Sequence, residues 1–382
     1  MTRRERLLAT LQGKPVDRPA VNFYEVGGFR VNRYDPSPFN IYNSPDWQPL
    51  LDLAETESDL IRMVSPIRKR RYESEWRILE HTESWMENGS QYTRTVLTIG
   101  RRTLTSLSRR DPEVSTLWTL EHLLKDRADA EAFLSIPAEL MTFSLETTPI
   151  VQAEAELGDR GLVMVDTADP LCLAASLFSM EDYTIVALTE PSLFHALLER
   201  FAARLWPETE EIARRFPGRL WRIYGPEYAS EPYLPPSLFE EYVVRYTGPM
   251  VKMIQRTGGY ARLHCHGRLR HILPAMAAMG IDALDPIEPP PQGDVELIEV
   301  REQYGRQMVL FGNIEASDLE NLPPPQFEQK ARKALREGTA GEGRGFVLMP
   351  SAATYGRRIS PTTLENYRTL LRVVQSPPTS SG

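Results

Sequence analysis

The sequence predicts a (β/α)8 TIM barrel with an N-terminal helical extension and a β-hairpin insertion. Three observations carry this reading. Apolar, strand-length runs alternate with helical periodicity along most of the chain, which implies a parallel sheet with right-handed crossovers. Counting two early runs, they number eight, enough to close a barrel. No glycine-rich phosphate fingerprint follows any early run, so the alternative, a doubly wound open sheet, lacks its usual mark.

In chain order, Thr2 opens an amphipathic helix with Leu7, Leu8 and Leu11 on one face, and Gly13 closes it. The turn Asp17-Arg18-Pro19 leads into the first run, 20–25. A helix over 47–55 precedes the second run, 60–64, which Ser65-Pro66 stops. Residues 66–110 are rich in Thr, Tyr, Trp, Ile and Val, and Glu87-Asn88-Gly89-Ser90 is a hairpin turn, so this span reads as an antiparallel insertion. A charged helix with Asp126, Asp129 and Glu131 follows. The remaining strands fall at 161–165, 220–224, 261–265, 283–287, 308–311 and 346–349. Helices are predicted at 190–216, 236–257, 268–279, 295–304, 325–337 and 361–374. Residues 1–375 thus form one barrel domain, and the Pro/Ser-rich 376–382 reads as a disordered tail.

With 382 residues the chain can bury a large core without disulfides or a structural metal. Its two distant cysteines, Cys172 and Cys265, exclude a disulfide framework and a four-cysteine zinc module. A net charge of −8 argues against a nucleic-acid-binding surface. Residues 1–12 lack the apolar core of a signal peptide, and the longest apolar stretch, 171–180, is too short to span a bilayer. The expectation is a cytoplasmic protein, with a helical surface suited to a homodimer.

Catalytic side chains of a barrel sit at the C-terminal ends of its strands. The fifth strand ends in Leu263-His264-Cys265-His266-Gly267, and residues two apart on a strand share a face. His264 and His266 therefore point together and Cys265 points away, as a core thiol. Two convergent imidazoles suit a divalent metal, zinc first among them; the competing reading is a polar pair bonded to neighbouring loops. A third ligand would be a carboxylate from an adjacent strand end. Glu288 is preferred because prolines flank it, with Glu227 and Asp285 behind it. Gly312-Asn313 after the seventh strand permits close backbone approach to a ligand, or is merely a tight turn. Tyr224, Asp285 and Ser351 at strand ends are candidate substrate contacts, while Glu288, Glu227 and Asn313 are the candidate catalytic groups. The basic run Arg68-Lys69-Arg70-Arg71 could clamp an anion, but reads better as a charged hairpin edge.

These strand ends resemble a known family. Thr2-Arg3-Arg4-Glu5-Arg6-Leu7-Leu8-Ala9, Gly13 and Asp17-Arg18-Pro19 resemble the N-terminus of the uroporphyrinogen decarboxylase superfamily. His264-Cys265-His266-Gly267, Met279-Gly280-Ile281-Asp282-Ala283, Glu288, Gly312-Asn313-Ile314, Pro350-Ser351, Pro361 and Glu365-Asn366 resemble its C-terminal third. The resemblance implies a (β/α)8 barrel. The decarboxylase proper has an N-terminal arginine pair, an early aspartate and a C-terminal histidine. This chain has Glu25-Val26-Gly27-Gly28-Phe29-Arg30, Val64-Ser65-Pro66 and Pro350-Ser351-Ala352 in those regions, so porphyrinogen decarboxylation is not expected. The other branch of the family that the chain resembles contains the methylcobamide:coenzyme M methyltransferases, whose best-known members bind zinc through His-x-Cys at the fifth strand and a distal cysteine. Here the pattern is His264 and His266, with Ser351-Ala352 at the distal position, so any metal site would be nitrogen- and oxygen-rich.

The resemblance implies an enzyme that moves a methyl group between a small methylated substrate and a corrinoid on a partner protein, with zinc on His264, His266 and Glu288. A decarboxylase or lyase acting on another carboxylated substrate is the alternative. A non-catalytic ligand-binding barrel is the third, and would lack paired, perturbed titratable groups.

Overall fold

The computed structural model describes residues 1–376; of the expected disordered tail, all but Ser376 lies outside the described residues. Eight parallel strands form one sheet: β1 Ala20–Val21, β2 Leu60–Val64, β3 Gly161–Ala168, β4 Leu220–Tyr224, β5 Tyr260–Cys265, β6 Ala283–Pro286, β7 Val309–Ile314 and β8 Phe346–Pro350. Their order is β1-β8-β7-β6-β5-β4-β3-β2, each strand beside its sequence neighbour, as in a (β/α)8 barrel. At the seam between β1 and β2, Asp59 N–H donates to the Val21 carbonyl at 2.7 Å, and Asp59 Oδ2 accepts from Val21 N–H at 2.9 Å.

The period of two decides what lies inside. Leu162 and Met164 on β3, Leu220 on β4, Val309 and Phe311 on β7, and Val347 and Met349 on β8 form an interior cluster. The residues between them, such as Val163, Ile223, Leu263, Cys265 and Leu348, pack outward against the helices. Leu7 and Leu11 of the N-terminal helix Arg3–Leu11 join the interior cluster. That helix starts in a capping box, Thr2 Oγ1 accepting from Glu5 N–H at 3.1 Å and Glu5 accepting from Thr2 N–H at 2.8 Å. Arg6 fixes it, bridging Asp17 at 2.7 Å and the fully buried Asp59 at 2.5 Å. The turn Asp17-Arg18-Pro19 thereby ties the helix to the first two strands.

The antiparallel excursion runs past the expected 66–110. Strands Glu80–Glu87, Ser90–Ile99, Arg102–Arg110 and Leu117–Glu121 form a four-stranded sheet, and Ile67–Arg70 pairs with Phe143–Glu146. Asn88 and Gly89 make the first turn with positive φ, 50° and 82°, which matches the twist of the flanking strands. Helices Thr148–Leu157, Pro170–Ala175, Met180–Thr189 and Ala316–Asn321 are additional to those predicted, as is Glu73–Leu79, within the span expected to be antiparallel. Among the described residues, no helix is long and apolar enough to cross a membrane.

Candidate active site

The interior positions continue, past the apolar layers, into a set of polar side chains at the C-terminal end of the barrel. On β5 the inward series Tyr260, Arg262, His264 leads to His266, while Cys265 is fully buried on the opposite face. Burial pushes the Cys265 thiol well up, so it is no nucleophile.

His264 is nearly buried and its Nδ1–H donates to Asp285 Oδ2 at 2.7 Å. Asp285 accepts two further bonds from Arg262, 2.5 Å from Nε and 2.6 Å from Nη2, both groups being out of solvent. Burial opposes ionisation of Asp285, but the Arg262 charge and the His264 contact outweigh it and hold the carboxyl well below its ordinary value. Arg262 also lies over the Phe311 ring at 4.5 Å. The Tyr24 hydroxyl lies 3.4 Å from His264 Nε2. Tyr24 in turn accepts a bond from Arg222, which makes a bidentate pair with Asp166 at 2.7 and 3.1 Å.

His266 stands with its ring perpendicular to that of His264, centroids 4.6 Å apart. Its Nδ1–H donates to Glu288 Oε1 at 2.8 Å, and the other oxygen of Glu288 accepts from Gly267 N–H at 2.9 Å. Burial disfavours the charged imidazolium, but the Glu288 hydrogen bond and charge prevail and raise the His266 pKa. Burial likewise opposes ionised Glu288, yet the His266 contact lowers its pKa. The hydrogen bond thus favours the protonated ring of His266 and the ionised form of Glu288 over their opposites. Glu25, just past β1, has its pKa raised by burial and feels Arg222, His264, Asp166 and His266.

The other candidates divide. Glu227 closes its own turn, accepting from Gly225 N–H at 3.1 Å, while its charge still reaches His266. Ser351 ties β7 to β8: its N–H donates to the Ile314 carbonyl at 2.7 Å and its Oγ accepts from Ala316 N–H at 3.2 Å. Tyr224 is half-buried under the Arg222 guanidinium, 5.2 Å from its ring. Asn313 is buried beside a side cavity with Glu315. The close approach at Gly312 is to backbone: at φ 146° a Cβ there would meet the Pro286 carbonyl oxygen at 2.1 Å. The basic run is engaged as a hairpin edge, Arg68 with Glu208 at 2.8 Å, Lys69 with Glu146 at 2.5 Å, Arg70 over Trp76 at 3.7 Å and Arg71 with the Phe143 carbonyl at 3.2 Å.

The expected zinc ligands His264, His266 and Glu288 do not fit a shared metal. Glu288 is the hydrogen-bond partner of His266, both its oxygens are engaged, and His264 Nε2 faces Tyr24. Among the described residues, no group of three or more His, Cys, Asp or Glu could hold a metal ion. Sequence reasoning missed Tyr24, Glu25, Asp166, Arg222, Arg262 and Glu315. The signal for three of them was present: Asp166, Arg222 and Arg262 are charges at inward positions of otherwise apolar strands.

A barrel whose C-terminal mouth carries two carboxylate-bound imidazoles has the architecture of a TIM-barrel enzyme. The family model for uroporphyrinogen decarboxylase (URO-D) matches residues 119–376, and the chain belongs to that family. Among solved structures, a methyltransferase from Methanosarcina mazei is similar over 98% of both chains, with 17% identity and a TM-score of 0.61. A protein from Coccidioides immitis provisionally assigned as a fructose-1,6-biphosphate aldolase matches 60% of this chain and 75% of its own, at 12% identity and a TM-score of only 0.27. No curated protein matches the sequence.

Proposed function

We propose that the protein transfers a methyl group from a small methylated substrate to a corrinoid carried by a partner protein. The observation that carries this reading is the hydrogen-bonded His266–Glu288 pair at the mouth, beside His264 held by Asp285. The methyltransferase from Methanosarcina mazei supports it by fold and by its own described activity.

A corrinoid bound on its partner would supply the nucleophile for the methyl carbon. The bond from that carbon to its heteroatom would break with the electrons remaining on the heteroatom, which for an ether or thioether leaves as an anion that needs a proton. His266 suits this role, since Glu288 stabilises its charged form and the imidazole is a third exposed. His264 takes a fixed orientation from Asp285 and Arg262 and faces the Tyr24 hydroxyl, so that these side chains form a rigid wall on the other side of the site. No step runs through zinc, because the donor set does not fit one. The lyase alternative has less support: the basic run it would use for carboxylates is committed to Glu208, Glu146, Trp76 and a backbone carbonyl. The non-catalytic alternative is disfavoured by the paired, shifted groups at the mouth.

The test is transfer to free cob(I)alamin from a panel of methyl ethers, thioethers and amines. His266→Ala should lower turnover by about 10²–10⁴-fold. Glu288→Gln should move the alkaline limb of the pH profile down, because His266 loses the group that holds its proton. Unchanged turnover in a His264→Ala/His266→Ala double variant would sink the assignment. Elemental analysis of the same preparations checks the metal independently.

A further inference from the structure

Beside the mouth, a cavity of about 160 Å³ opens between the loop after β6, the end of β7 and helix Pro324–Gly338. Its charged lining consists of Glu296, Glu315, Asp318 and Glu337 against Lys330 and Lys333. Both lysines are already paired, Lys330 with Asp318 at 2.5 Å and Lys333 with Glu296 at 2.8 Å and Glu337 at 3.5 Å. Glu315 differs: it is nine-tenths buried, and its Oε1 is shut off from solvent without a hydrogen-bond partner. Its Oε2 has no hydrogen-bond partner among the described residues either and is the oxygen left open, so the ionised carboxyl is poorly stabilised until a cation or donor in the cavity meets Oε2. With four carboxylates and two ammonium groups, the ionised lining is negative by two charges.

We propose that this cavity is a subsite for a small alkylammonium group, which donates its N–H to the buried Glu315 carboxylate. A metal is not the occupant the lining suits, since no three-ligand group exists among the described residues. An anion would face four carboxylates and two lysines already engaged. The Glu315 carboxyl is pushed up to about 7, chiefly by burial, with Glu288 and Asp318 adding to the effect and His266 and Lys330 opposing it. Lys333, Glu296 and Glu337 complete the charges around the cavity. Binding a cation therefore displaces the Glu315 proton, and affinity rises with pH through neutrality. The subsite rests on the methyl-transfer reading only for its purpose, which is to seat the cationic end of a substrate reacting near His266. Binding itself needs no turnover, so either can fail without the other.

The experiment is ligand-observed saturation-transfer NMR on the full chain with trimethylammonium chloride, using tert-butanol as neutral control and acetate as anionic control. Trimethylammonium should bind about tenfold more tightly at about pH 8 than at about pH 6, following Glu315 ionisation. Glu315→Gln should weaken binding and flatten its pH dependence. Lys330→Met, at a half-exposed position, should tighten binding by freeing Asp318. Should the Glu315 variant fail to fold, Lys330→Met decides by its sign. Preference for acetate or equal binding of tert-butanol overturns the proposal, as does unaltered binding in a folded Glu315→Gln variant or no tightening in Lys330→Met.

Discussion

Arg262 is wholly out of solvent inside an apolar barrel, a position costly for a charge unless paired and hydrogen-bonded. Asp285 meets both conditions and passes a hydrogen bond on to His264. Arg262→Met should therefore cost about 3–5 kcal/mol in urea unfolding, because Asp285 is left buried and uncompensated. Arg262→Met paired with Asp285→Leu should recover much of that loss, separating the lost charge partner from the pair's net worth. At His266 the sign can be worked out directly. Its pKa is raised in the folded state, so the contribution is full below the unfolded value and disappears as pH climbs through the folded one. Glu288 is lowered, so its contribution is full above its unfolded value and disappears as pH falls through the folded one. In Glu288→Gln, the His266 ring-proton titration followed by NMR should shift to lower pH; an unmoved midpoint would contradict the pairing. His264 and His266 were legible as one face from their spacing of two. Glu288 and Asp285 were legible as carboxylates of the neighbouring strand end, but which one bonds to which histidine was not, because that depends on inter-strand register that a single chain pattern does not carry.

The apolar runs marked all eight barrel strands, since a strand buried on both faces needs apolar residues throughout. Helix Pro170–Ala175 was hidden in the stretch read only as apolar, and Met180–Thr189 begins at its end and runs through unassigned residues, although their caps are visible in sequence. Asp169 Oδ1 accepts from Cys172 N–H at 2.7 Å, and Ser179 Oγ accepts from Asp182 N–H at 3.1 Å. The N-terminal helix offers a test at this scale. Leu7 is 1% exposed among interior residues of the barrel, so Leu7→Ala should cost about 2–5 kcal/mol, read as a lowered urea midpoint with an unchanged slope. A slope change instead would mean that the helix frays separately from the barrel. Gly312→Ala should also destabilise, because the added Cβ meets the Pro286 carbonyl and strains a left-handed φ.

For the molecule as a whole, alternation of strand and helix implied a barrel, and the length that could have meant two domains is used by one closed sheet and an antiparallel excursion. The boundaries of that excursion were less legible: Phe143–Glu146 returns to pair with Ile67–Arg70 across a long stretch of chain. Non-local pairing of this kind leaves no periodic trace in either segment.

Local composition and period thus determined the strands, the inward face shared by His264 and His266, and the outward burial of Cys265, because these follow from the two-residue repeat of extended backbone. Only the tertiary structure decided that Glu288 buttresses His266 instead of standing beside it as a ligand. The same is true of Arg262 and Asp285 steering His264, and of Glu315 being left buried without a donor. Each of these depends on which carboxylate or guanidinium a closed barrel brings within about 3 Å of another strand's side chain, and hydrogen bonding and desolvation act at that range.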